Sequence, residues 1–113
     1  MGENCFILDK NTLQPGVTIG NNVILWSGNH IGHHSHIDDH TFIASHVVIS
    51  GSVQVGKNCF FGVNTTIGDN LKIGDFTVVG AGAMVLKGVG GHSLIVRKSE
   101  ALSERSSHRL RGL

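Results

Sequence analysis

The chain reads as an all-β solenoid: a parallel β-helix of about four to five triangular coils, followed by a short tail with some helical character. Three observations predict this. A six-residue apolar period runs without a slip through Ile7, Leu13, Ile19, Leu25, Ile31, Ile37, Ile43, Ile49, Val55, Phe61, Ile67, Ile73, Val79 and Val85. The next position is glycine in half of these hexads, at residues 20, 32, 56, 62, 68, 74 and 80. The fifth position is mostly small or aliphatic, as at Val23, Ser35, Thr41, Val47, Cys59, Thr65 and Ala83. An apolar stripe of period 3.6 would drift right round a helix over such a length, whereas short strands joined by tight turns keep the register.

Residues 1–12 lead into the first coil. Residues 13–90 carry the repeat, in which each hexad is one short strand and one turn. The large first-position side chain points inward, the small fifth-position residue fills the corner, and the second-position glycine meets the backbone demands of the turn. Three hexads close one coil of eighteen residues, and coils stack about 4.8 Å apart. The pattern fades after Val89, leaving residues 91–113 as a basic tail. Within it, Ser99-Glu100-Ala101-Leu102-Ser103-Glu104 has the cap and spacing to start a short helix.

Composition narrows the function. With 113 residues, 40% of them hydrophobic and 15% charged, the chain fits one domain with a modest core. No apolar run reaches the roughly 18 residues of a membrane span, so no membrane partner is expected. Net charge is +1, which does not point to nucleic acid. The charge is uneven: residues 1–90 are net −2 and residues 91–113 net +3. Cys5 and Cys59 are three coils apart, so about 14 Å separates them, too far for a disulfide. Two free inward thiols behind an N-terminus without a basic, apolar leader lead to a cytoplasmic expectation.

The repeat, together with Asn29-His30-Ile31-Gly32-His33-His34-Ser35 and Gly80-Ala81-Gly82-Ala83-Met84-Val85, resembles the hexapeptide-repeat acyltransferases. More narrowly, it resembles the sugar O- and N-acetyltransferases of the sialic acid and bacillosamine type. The resemblance implies a left-handed winding, a homotrimer, and acetyl-CoA as acyl donor with no metal. Its acceptor would be a sugar or sugar-nucleotide hydroxyl or amine. Relatives of this branch usually carry an N-terminal α/β domain before the solenoid; because the repeat begins almost at once, none is expected here.

Six of the eight histidines lie between residues 30 and 46. The resemblance puts His33 on the family's catalytic histidine, with His34 where many relatives have an acidic residue. Direct acetyl transfer needs a base for the acceptor's proton, and an imidazole titrating near neutral pH suits that task. Turn N–H groups would stabilise the oxyanion. His30 and His46 are candidates for acceptor contact. His34, His40 and His46 share the fourth position of consecutive hexads, so they face three directions and cannot share a metal within one chain. The resemblance implies coenzyme contacts at Phe42, Val63 and Ala81, with Gly62, Gly80 and Gly82 allowing close backbone approach. Val63 and Ala81, eighteen residues apart, should stack on one face. The competing reading is a trimeric solenoid that acts as a scaffold without catalysis. A zinc hydratase of the γ-carbonic anhydrase type would need two histidines five residues apart, and no pair has that spacing.

Overall fold

A computed structural model describes residues 1–103 and 107–109. Every regular strand in it is two residues long, and the strands fall on three faces. Face I stacks β1 (Phe6–Ile7), β4 (Ile24–Leu25), β7 (Phe42–Ile43), β10 (Phe60–Phe61), β13 (Val78–Val79) and β15 (Leu94–Ile95). Face II stacks β2 (Thr12–Leu13), β5 (His30–Ile31), β8 (Val48–Ile49), β11 (Thr66–Ile67) and β14 (Met84–Val85). Face III stacks β3 (Thr18–Ile19), β6 (His36–Ile37), β9 (Gln54–Val55) and β12 (Lys72–Ile73). All pairings are parallel, and up to β14 each residue pairs with the one eighteen further on, as Phe42 does with Phe60. The architecture is a left-handed parallel β-helix of about five turns.

The inward column is the expected one. First-position side chains from Ile19 to Val85 are buried, while Ile7 and Leu13 are half-buried because the first coil has no layer beneath it. Polar fifth-position residues such as Ser35 and Thr41 are buried too, and these two bridge backbone groups of the next coil. Ser35 Oγ donates to the Ser50 carbonyl at 2.9 Å and accepts from the Val53 amide at 3.1 Å. Thr41 Oγ1 does the same with Gly56 and Cys59. Cys59 is buried, which pushes its thiol pKa up; Cys5, in the open first coil, is only half-buried.

The corners correct one expectation. At every corner from Lys10 to Gly82 the fourth-position residue, not the second, has a positive φ, between 55° and 82°. Asparagine, histidine and glycine tolerate this region best, and they fill most of these corners. Second-position glycines serve contact between coils instead. A Cβ on Gly32 would stand 2.5 Å from the Ser50 carbonyl carbon, and one on Gly62 would stand 2.7 Å from the Ala81 amide nitrogen.

The repeat also runs past residue 90. Val89 bridges to Ile73, and β15 pairs Leu94 with Val78 and Ile95 with Val79, all sixteen residues apart. Two residues are therefore missing from the step between Val85 and Val89, which is why a strict six-residue count loses the last turn. The helix expected from Ser99 does not form over 99–103, and Glu104 lies outside the described residues. The helical element described in the tail is one 3-10 turn, Ser107–Arg109.

Candidate functional site

His33 and His34 occupy the corner between faces II and III. Their backbone is held by the coil below: the His33 amide donates to Gln14 Oε1 at 2.8 Å and the His34 amide to the Pro15 carbonyl at 3.2 Å. The rings then part. His34 sits at the positive-φ position and lays its ring over Gly16 in the coil below, where a Cβ would collide with it. The His33 ring leans over Gly51 in the coil above, where a Cβ would stand 2.5 Å from Nε2. Their Nδ1 atoms remain 3.2 Å apart with the rings edge to face. One Nδ1 must carry the proton and the other accept it, so the two imidazoles hold complementary tautomers whenever both are neutral. Gln14 and Gly51 escaped sequence reasoning, although each lies about one coil, eighteen residues, from this corner.

The histidine enrichment has a conformational cause. His34, His40, His46 and His92 all hold positive-φ corners, with φ between 57° and 62°. His34, His40 and His46 do lie on three different corners. His30 projects half-buried from face II between Thr12 and Val48, and His36 from face III, its Nδ1 2.5 Å from Thr18 Oγ1. Among the described residues no cluster of three metal-ligating side chains forms.

The proposed coenzyme residues gather at another corner, between faces I and II. Val63 and Ala81 stack in adjacent coils and, with Asn64 and Gly82, floor a groove of about 500 Å³. Its other wall is the segment Arg97, Lys98, Ser99 and Glu100. Gly62 and Gly80 lie beneath this corner and do not line the groove. Phe42 stands on face I, stacked on Phe60 with ring centroids 5.4 Å apart and tilted against Trp26 at 6.3 Å. His46 shares the groove's corner: it is the fourth-position residue one coil below Asn64, with its ring over Gly28. His33 and the groove therefore sit on different corners of the same prism, separated by the width of face II.

Solved structures share this fold. The acetyltransferase domain of PglB from Neisseria gonorrhoeae FA1090 superposes with a TM-score of 0.81 at 19% identity, over 83% of this chain and 46% of that one. PerB from Caulobacter crescentus, in complex with CoA and GDP-perosamine, gives 0.62 at 24% identity, over 80% and 52%. The UDP-N-acetylglucosamine O-acyltransferase of Moraxella catarrhalis RH4 gives 0.68 at 25% identity, over 80% and 35%. The chain thus spans about half, or less, of the length of these proteins. No curated protein matches it. At the level of sequence, residues 1–33, 19–51 and 52–87 match the family described as bacterial transferase hexapeptide (six repeats). With residues 1–87 of its 113 covered, the chain belongs to that family.

Proposed function

We propose that the chain is an acetyl-CoA-dependent acetyltransferase acting on a sugar or sugar-nucleotide amine or hydroxyl. The observation that carries this reading is the groove at the I–II corner, which collects Val63, Ala81 and Gly82 in one place. Its floor is built of small and medium side chains, Val63, Asn64, Ala81 and Gly82, as an extended pantetheine arm needs, and its far wall carries Arg97 and Lys98. Neighbours of the same fold have been solved in complex with acetyl coenzyme A, and with CoA and GDP-perosamine.

In this reading His33 takes the proton from the acceptor nitrogen or oxygen as that atom attacks the thioester carbonyl. The new C–N or C–O bond forms, the C–S bond breaks, and His33 returns the proton to the departing thiolate. Along the solenoid axis His33 lies nearly three coils below Ala81, roughly 13 Å at the coil spacing. That rise suits a thioester reaching down while its nucleotide stays near the top. The lateral gap between the corners is bridged when a second copy brings its II–III corner against the groove, so the site is complete only in a homotrimer. The outward column of face I, Phe6, Ile24, Phe42, Phe60, Val78 and Leu94, is apolar along its whole height and favours such association. A second reading keeps the site within one chain, with His46 as base, because His46 already shares the groove's corner.

Thermal stability in acetyl-CoA tests the groove. Ligand binding to the folded state raises the melting temperature by mass action. The wild type should shift, and Ala81→Trp should not, its apo stability being unchanged because residue 81 points out of the coil. A wild type with no shift at about millimolar acetyl-CoA, far above usual dissociation constants, would favour the scaffold. Thiol release with a panel of amino- and hydroxy-sugar nucleotides then identifies the acceptor.

A further inference from the structure

We propose that Arg97 and Lys98 form a phosphate subsite at the rim of the groove, and that Glu100 occupies it at rest as an internal anion. This rests on the groove being a coenzyme site. The Arg97 stem lies over Gly82 at van der Waals distance, its Cδ 3.6 Å from where a Cβ would sit. Its Nη1 donates to the Gly82 carbonyl at 3.4 Å, and its Nη2 donates to Glu100 Oε1 at 2.5 Å. The guanidinium is thus already turned toward an anion's oxygen, and a phosphate can replace a carboxylate on the same donors. Lys98 lines the same wall, and among the described residues Glu100 is the single acid lining the groove. Both partners of the ion pair are largely exposed, Glu100 most of all, so the closed pair is weak and opens at little cost. A doubly charged phosphate with two cations to meet outcompetes one carboxylate. Strand β15 ends at Ile95, so the cations are delivered by the last turn of the solenoid, directly above Ala81.

A nucleotide phosphate could come from the coenzyme or from a sugar nucleotide. Titrating the full chain with adenosine 3′,5′-bisphosphate, which has coenzyme A's phosphate-bearing end but no pantetheine arm, and separately with uridine diphosphate, distinguishes the two. Arg97→Gln should weaken the responding ligand about tenfold, in keeping with loss of a charged hydrogen bond. Glu100→Gln should tighten it about two- to fivefold, the size expected for a weak exposed ion pair. That gain should vanish in the Arg97→Gln background, and Glu3→Gln, at the opposite end, should show no gain. A response from adenosine bisphosphate assigns the subsite to the coenzyme; a response from uridine diphosphate alone assigns it to the acceptor. The proposal is overturned if neither ligand responds to Arg97, or if Glu100→Gln fails to tighten binding or tightens it equally without Arg97. Acetyl-CoA that binds regardless of Arg97 would leave the groove reading intact and remove only the subsite. Adenosine bisphosphate that follows Arg97 while acetyl-CoA and pantetheine fail to bind would do the reverse.

Discussion

A single absent methyl group at residue 51 decides where the His33 imidazole can lie. The ring rests in the space that a side chain at Gly51 would fill, and the Gln14 side chain anchors the His33 amide from below. Gly51→Ala should therefore displace the ring while costing little stability, because the colliding atoms are the far end of a rotatable side chain. A misplacement of about 1 Å in a reacting group can cost on the order of 10²-fold in rate. We expect kcat to fall by roughly 10- to 100-fold by that scale, with the melting temperature near wild type; an unchanged kcat would remove His33 from the chemistry. The direct counterpart is His33→Ala, which should cut acetyl transfer by about 10²–10⁴-fold, the usual worth of a general base. Acetyl-CoA binding should be retained, since His33 is not on the groove's corner. If His46→Ala shows that loss instead, the single-chain reading holds. The sequence singles out His33 only through resemblance. Its supports were hidden because they lie one coil away, and a glycine one layer above shows nothing of the ring that will cover it.

The repeating element is a two-residue strand and a corner whose fourth residue has a positive φ. This conformation costs an ordinary L-residue roughly 1–2 kcal/mol, and it recurs at every corner from Lys10 to Gly82. Asn70 tests the point because its side chain is exposed and its amide donates to the Gly51 carbonyl whatever the side chain. Asn70→Ala should lower stability by about 1 kcal/mol, near the low end of that penalty, whereas Asn70→Gly should lie within a few tenths of wild type. Equal losses in chemical denaturation would mean that the asparagine side chain, not its backbone, matters. Phe76 breaks the rule with a bulky residue at φ 59°, and its ring stacks on His92 at 5.0 Å. The inward column was legible at once, because one apolar side chain every six residues has a single structural solution. The corner rule was not: asparagine, histidine and glycine look unrelated until their shared φ is seen. A cluster of histidines therefore suggested chemistry where half of its members, His34, His40 and His46, answer to backbone geometry.

The whole molecule is a prism with a half-covered first coil, an apolar outer column on face I and its proposed active parts on two corners. We expect a homotrimer, and sedimentation should give a species of three times 12.0 kDa; a monomer at micromolar concentration would undo both the trimer and the two-copy site. The sequence offered the trimer only through resemblance; the apolar outward column of face I emerges once the coils are stacked. Which corners meet could not be read from the repeat, which treats all three alike. The sixteen-residue last turn carries a further consequence. An uninterrupted solenoid ends in three open strand edges that match the edges at its own beginning, an invitation to head-to-tail growth. Here Val89 and β15 close the final turn two residues early, so the upper rim is out of phase with the lower one. An incoming chain that docked on face I would find its next corner displaced by the length of the missing pair, and its hydrogen bonds could not continue round the prism. The described upper rim therefore does not repeat the eighteen-residue coil beneath it, and the hydrogen-bond ladder steps two residues short on its way round the prism.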